Sequence, residues 1–196
     1  MGRTIVVTCG ATVPFPLLVK AVLTEQFLYQ LKTWRFDRLV VQYGKGYANH
    51  FQQTLLDQLP GVEGSPGALA DLAADSKAWI SPCGVEICAF EFTTRIQDLL
   101  RLHADVVVSH AGTGSILDAL RLQKPLVVVA NTDLMDNHQL QIAEKFESRG
   151  HLVSALRCDT ESVVSAIEKV LAQAPQPLAD SVNDDFSRLL AAVAWA

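Results

Sequence analysis

The chain has 196 residues, 49% of them hydrophobic and 19% charged, with a formal net charge of −5 at pH 7. That is enough apolar material to bury a full core in one domain, and too little charge for a chain disordered along its length. The acidic balance excludes a broad nucleic-acid footprint, which needs a clustered basic face, but not a small phosphorylated ligand held by backbone N–H groups.

Thr4 to Thr8 is short, β-branched and apolar on both faces, the pattern of a strand covered on both sides in a parallel sheet. The loop "CGATVPFP" follows, and apolar spacing from Leu17 to Leu31 predicts a helix. Arg38 to Gln42 reads as the second strand, "YGKGYANH" as a turn, and about Asn49 to Leu59 as a helix. Residues 60–76, "PGVEGSPGALADLAADS", are rich in Gly, Pro, Ala and Asp and are expected to form a mobile insertion. Strands are predicted at Ala78 to Ser81 and Val85 to Phe90, then a helix at Thr93 to Leu102 capped by Thr93 or Thr94. The strand Asp105 to Ser109, the helix Ser115 to Leu122 and the strand Pro125 to Ala130 come next. A helix from about Asn137 to Arg149 stops at Gly150, His151 to Ala155 is a last strand, and Thr160 to Ala172 is a helix capped by Thr160.

Strands alternating with helices over short loops imply an α/β domain, a Rossmann-like open parallel sheet with helices on both faces, over residues 1–175. Residues 176–196 read as a linker and an amphipathic helix from about Asp184, with Phe186, Leu189, Leu190 and Val193 on one stripe. This stripe suits packing on the chain's own sheet or docking on a partner.

The four cysteines, Cys9, Cys83, Cys88 and Cys158, show neither zinc-ribbon nor CxxC spacing and are expected to be free thiols of a reducing compartment. No stretch approaches the roughly 20 apolar residues of a membrane span, and the first apolar run is too short for a signal peptide. A cytosolic protein is expected. Gly2 is discounted as a myristoylation site because Val7 stands where that motif prefers Ser or Thr.

In an open α/β sheet the ligand sits beyond the carboxyl ends of the strands. The strand ending at Ser109 runs into "HAGTGS", where Gly112 and Gly114 remove side-chain bulk before a helix whose first N–H groups face outwards. A diphosphate suits that turn, with His110 adding a hydrogen bond. The same residues have plainer readings. Ser115 and Asp118 fit a capping box, and His110 fits a structural histidine. Asp118 also suits a ribose diol. The next strand leads to Asp136, Asn137, His138 and Gln139, four hydrogen-bonding side chains at a helix start, which suit a sugar ring or, more simply, an N-cap with solvated neighbours. Gly10, Ala11 and Thr12 after the first strand allow close approach of backbone to ligand, or form an ordinary βα turn. Phe90 to Thr93 ends another strand and offers an aromatic wall for a base, with Phe90 itself expected in the core. Neither GxGxxG nor a Walker A sequence is present, and Met135, His138 and His151 lack metal-ligand spacing.

"HAGTGSILDAL…KP…DNHQ" resembles the nucleotide-sugar domain of GT-B glycosyltransferases and matches the HxGxxSxxE-type box of UDP-sugar enzymes, with Asp118 for the usual Glu. "VTCGATVPF", "SHAGTGSILDALRLQKPLVVV" and "LMDNHQLQIAEKF" more closely resemble the family of eukaryotic catalytic subunits that add the second N-acetylglucosamine (GlcNAc) of the dolichol-linked oligosaccharide. These are of glycosyltransferase family 28 C-terminal-domain type. The similarity runs from about Thr4 to Leu171, and the bacterial transferase of the peptidoglycan lipid precursor is a more distant relative.

The resemblance implies that His110, Gly112, Thr113, Gly114 and Ser115 hold the diphosphate of UDP-GlcNAc and that Asp118 holds its ribose. Asp136 and Gln139 would contact the GlcNAc, with Asn137 and His138 nearby. Gly10, Ala11 and Thr12 would face the donor phosphates or the acceptor, and Phe92 and Thr93 would lie by the uracil. The implied reaction is inverting β-1,4 transfer to dolichyl-diphosphate-GlcNAc, without a metal or other cofactor. Such an enzyme needs two Rossmann-like domains, so the acceptor side is expected from a separate membrane-anchored subunit at the cytosolic face of the endoplasmic reticulum. His110 is the local titratable group but stands on the diphosphate side, so the general base is left unassigned, with the partner as a source. The competing readings are a non-catalytic UDP-sugar-binding scaffold and an NAD oxidoreductase, the latter disfavoured by the missing fingerprint.

Overall fold

The computed structural model describes residues 2–11, 13–130, 137–173 and 175–177, with the side chains of 137–140 excepted. Strand β1 (Arg3–Thr8) leads through α1 (Pro16–Val22) and α2 (Glu25–Thr33) to β2 (Phe36–Gln42), and α3 (Ala48–Gln58) to β3 (Ser65–Pro66). Then come β4 (Lys77–Ile80), β5 (Glu86–Phe90), α4 (Ile96–His103), β6 (Val106–Ser109) and α5 (Thr113–Arg121). The described chain finishes with β7 (Leu126–Val129), α6 (Asn137–Ser148), β8 (Val153–Ala155) and α7 (Thr160–Ala172).

The eight strands form one sheet in the order β3-β4-β5-β2-β1-β6-β7-β8. From β5 to β8 every neighbouring pair is parallel. The β-branched strands alternate between two buried layers. Ile5, Val7, Leu39, Val41, Val106 and Val108 pack towards α1, α2, α3 and α7. Val6, Val40, Cys88, Val107, Leu126 and Val128 pack towards α4, α5 and α6. Strand order reverses at β1, which has β2 on one side and β6 on the other. The helices after β1 and β6, α1 and α5, pack on opposite faces of the sheet, so this carboxyl edge is a topological switch point, where open α/β sheets bind ligands.

Several local expectations are corrected. The expected helix over 17–31 is two helices, because Thr24 adopts an extended conformation and its side chain accepts from the Phe27 N–H as the cap of α2. Both pieces bury the same face, so the apolar spacing carries across the break. The predicted pair at 78–81 and 85–90 is an antiparallel hairpin, β4 against β5, turning at Gly84 with φ of 77°. The sheet is thus mixed at that edge, where β3 also pairs antiparallel with β4. Neither Thr93 nor Thr94 caps α4, which begins after Arg95 without a side-chain cap bond. Asp159 caps α7 through the Ser162 N–H at 2.8 Å, while the Thr160 hydroxyl donates to the Ala21 carbonyl at 2.9 Å. Apart from these corrections, residues 60–76 hold β3 and place Leu69, Leu72 and Ala73 in the same buried layer as α4 and α5. The four cysteines are free thiols. No helix of the described residues is long and apolar enough to cross a membrane. The expected helix from Asp184 lies outside the described residues.

Candidate functional site at the carboxyl edge

Gly112 is the N-cap of α5, with no side-chain cap bond and no acidic residue in the first helical turn. The helix therefore starts two residues before Ser115. The capping box does not form: Asp118 lies beyond the first turn, and its Oδ1 accepts from Gln97 Nε2 at 2.8 Å. The N–H groups of Thr113, Gly114 and Ser115 and the positive end of the helix dipole consequently meet no carboxylate of their own. Gly114 has nothing within 4 Å of where a Cβ would stand, so the backbone there is open to a ligand. Ala111, buried just before the turn, is held at φ of 66°, a left-handed conformation costly for a side-chain-bearing residue.

His110 joins this turn to the loop after β1. Its N–H donates to the Thr8 carbonyl at 3.0 Å, and its Nδ1 lies 3.1 Å from the same oxygen. A carbonyl only accepts, so Nδ1 carries a proton and Nε2 is the ring nitrogen left for another partner. Nε2 stands between two glycines. A Cβ on Gly10 would come within 2.8 Å of it, and one on Gly112 would overlap it. Burial pushes the His110 pKa below its ordinary 6.5, against a smaller upward pull from the Thr8 carbonyl.

Beneath these turns a row of polar side chains crosses the sheet. Gln42, Thr8 and Ser109 are register partners on three adjacent strands, and alternation turns all three to the face covered by α4–α6. The Thr8 and Ser109 hydroxyls are buried without a hydrogen-bond partner. Gln42 is 5% exposed, and its Nε2 donates to the carbonyls of Gly10 at 2.6 Å and Glu91 at 3.0 Å.

The predicted residues Gly10, Ala11, Phe92, Thr93, His110, Gly112, Thr113, Gly114 and Ser115 thus belong to loops and a helix start along one sheet edge, and Asp118 lies further along α5. Phe92 is 36% exposed there. Thr93 is buried, its hydroxyl donating to the Leu72 carbonyl and accepting from the Arg95 N–H. Thr12 and Asp136 lie outside the described residues, as do the side chains of Asn137, His138 and Gln139, whose backbone opens α6. Three residues of the edge were not singled out from sequence: Gln42, Gln97 and Lys45. The Lys45 Nζ stands 4.3 Å from the centroid of the Phe92 ring, a cation–π contact. The flanking Gly44 and Gly46, both at positive φ, were the available signal for Lys45.

A separate cavity of about 310 Å³ opens at the opposite edge of the sheet, lined by Arg38, Glu86, His103 and Lys124 among others. Polar side chains of its lining are already engaged: Arg38 pairs with Glu86 at 2.6 Å, and Lys124 donates to the Arg101 and Ala104 carbonyls. Among the described residues no three His, Cys, Asp or Glu side chains form a group able to hold a metal ion.

The family profile described as "Glycosyltransferase family 28 C-terminal domain" matches residues 4–192. The UDP-N-acetylglucosamine transferase subunit ALG13 of Eremothecium gossypii is 44% identical over 98% of this chain and 93% of its own. ALG13 of Saccharomyces cerevisiae is 38% identical over 96% and 94%. The solution structure of ALG13 superposes with a TM-score of 0.75 at 37% identity, covering 96% of this chain and 94% of that one. MurG of Acinetobacter baumannii shares the fold at a TM-score of 0.56 and 15% identity, over 88% of this chain but only 42% of its own. The fold is that of the C-terminal half of a GT-B glycosyltransferase.

Proposed function

The chain belongs to the glycosyltransferase family 28 C-terminal-domain family, and from that premise we propose that it is the donor-binding, catalytic subunit of a two-subunit N-acetylglucosaminyltransferase. The donor is UDP-GlcNAc and the acceptor dolichyl-diphosphate-GlcNAc. The observation that carries the reading is the start of α5, glycine-lined, uncapped by any side chain and free of acid in its first turn, beside the open Nε2 of His110. The names of the relatives, UDP-N-acetylglucosamine transferase subunits, supply the sugar and the subunit character.

In the proposed reaction the acceptor 4-hydroxyl attacks C1 of UDP-α-GlcNAc from the face opposite the diphosphate. The C1–O bond to phosphate breaks, UDP departs, and the hydroxyl proton passes to a general base. Negative charge grows on the departing diphosphate, which this reading seats at the N–H groups of α5. Fixed dipoles in place before the reaction stabilise such charge without reorganisation. In this reading no metal is required. His110 holds the diphosphate, Asp118 the ribose, Phe92 the uracil, and Asp136 with Gln139 the sugar. The base is assigned to the acceptor side, which a membrane-anchored partner subunit supplies at the cytosolic face of the endoplasmic reticulum.

The test is transfer of GlcNAc from UDP-GlcNAc to a lipid-linked GlcNAc acceptor by the co-purified subunits. Ser115→Ala and Asp136→Ala are expected to abolish transfer while leaving the partner bound. Unchanged transfer in both would make the chain a scaffold. Calorimetric binding of NAD in preference to UDP would overturn the donor assignment.

A further inference from the structure

Two loops of the proposed donor site are not neighbours. The Gly10 loop follows β1 and the Glu91 to Thr93 loop follows β5, and β2 runs between those strands. A direct tie between them comes from the end of β2 and the loop that follows it, and Gln42 is the last residue of the strand. Both partners of its side chain are carbonyl oxygens, so the group facing them is the NH2, whose two hydrogens diverge. One reaches the Gly10 carbonyl at 2.6 Å and the other the Glu91 carbonyl at 3.0 Å.

Backbone bonds complete the lacing. The Cys9 N–H donates to the Gln42 carbonyl at 2.9 Å, the Gly44 N–H to the Glu91 carbonyl at 3.0 Å, and the Lys45 N–H to the Ala11 carbonyl at 3.2 Å. Glu91 is held from its other side by Asp75, whose carboxylate accepts its N–H at 2.8 Å. Gly10 flanks His110 Nε2, and Glu91 directly precedes Phe92. The two carbonyls held by one amide thus belong to the phosphate end and the base end of the proposed donor site.

We propose that Gln42 is a positioning residue for the donor nucleotide, its amide setting the separation of the Gly10 and Glu91 loops so that one nucleoside diphosphate spans both. This rests on the donor-site reading above. No other uncharged side chain of similar length offers two diverging donors. Glutamate at this position would turn two acceptor oxygens that share a negative charge towards the two carbonyls, and methionine would leave both carbonyls without the amide.

The experiment uses the full chain with its partner subunit and measures KM and kcat for UDP-GlcNAc in wild type, Gln42→Met and Gln42→Glu. KM is expected to rise about tenfold in Gln42→Met, the scale of a lost hydrogen bond to a buried carbonyl, and further in Gln42→Glu, with kcat within about twofold. Inhibition by UDP, which spans both loops, should weaken in parallel with KM. Inhibition by inorganic diphosphate, which uses one end, should not change. Should Gln42→Glu fail to fold, Gln42→Met alone carries the test. Unchanged KM with a lowered thermal midpoint would reduce Gln42 to a packing residue and overturn the proposal, as would equal weakening of UDP and diphosphate. A wild-type chain that binds no UDP-sugar would instead overturn the donor-site reading itself.

Discussion

His110 is anchored through Nδ1 to the Thr8 carbonyl and largely desolvated, so its charged form is disfavoured in the folded chain. Its folded pKa lies below the ordinary 6.5, so between the two values the unfolded chain holds more protons than the folded one. The neutral ring therefore contributes stability that is present above 6.5 and lost as pH falls through the depressed folded value. Thermal midpoints measured across that range should fall less steeply in His110→Gln than in wild type; matching slopes would refute it. The same geometry sets the sign for ligand binding. With Nδ1–H committed to Thr8, Nε2 donates to a phosphate oxygen only when the ring is protonated. Binding of UDP-GlcNAc, whose diphosphate does not titrate near neutrality, is then expected to take up a proton and tighten as pH is lowered. A flat affinity would show that Nε2 does not meet the diphosphate as a donor.

The start of α5 is where element geometry and ligand geometry part company. Gly112 has ordinary φ and ψ, −66° and 128°, so only the nearness of His110 Nε2 demands glycine. Gly112→Ala must displace the ring or the turn and is expected to cost about 1–3 kcal/mol in thermal or denaturant unfolding. At Gly114 the space is empty. Gly114→Ala should therefore leave stability within about 0.5 kcal/mol of wild type, yet weaken UDP-GlcNAc binding if the donor sits as proposed, because the methyl would then occupy its ground. Undiminished binding in Gly114→Ala would move the diphosphate elsewhere. This contrast was not legible from "HAGTGS" alone, where both glycines read equally as turn residues. The existence of α5 was legible from its apolar spacing. Its start was not, because no side chain caps it.

At the scale of the molecule, the described sheet forms one Rossmann-like domain, and the chain covers less than half of MurG. If the acceptor half comes from another subunit, the isolated chain should bind UDP-GlcNAc but transfer nothing until that subunit is added. Full transfer by the chain alone would refute this. The parallel body of the sheet was legible because strands buried on both faces read as unbroken β-branched runs, such as Ile5 to Val7 and Val106 to Val108. The antiparallel direction of β4 was not, since an apolar run of four or five residues has the same pattern in either direction.

The amino-acid sequence determined, by itself, the alternation of strands and helices and the glycine-rich turn that ends β6. Those follow from periodicity and backbone freedom within a few residues of each other. Only the tertiary structure brought in Gln42, Lys45 and Gln97. The bonds of Gln42 to Gly10 and Glu91 join residues 32 and 49 apart, and that of Gln97 to Asp118 joins residues 21 apart. A glutamine at the end of a strand carries no local mark of what it will hold; its two amide hydrogens acquire their partners only when the sheet sets β1 and β5 on either side of β2.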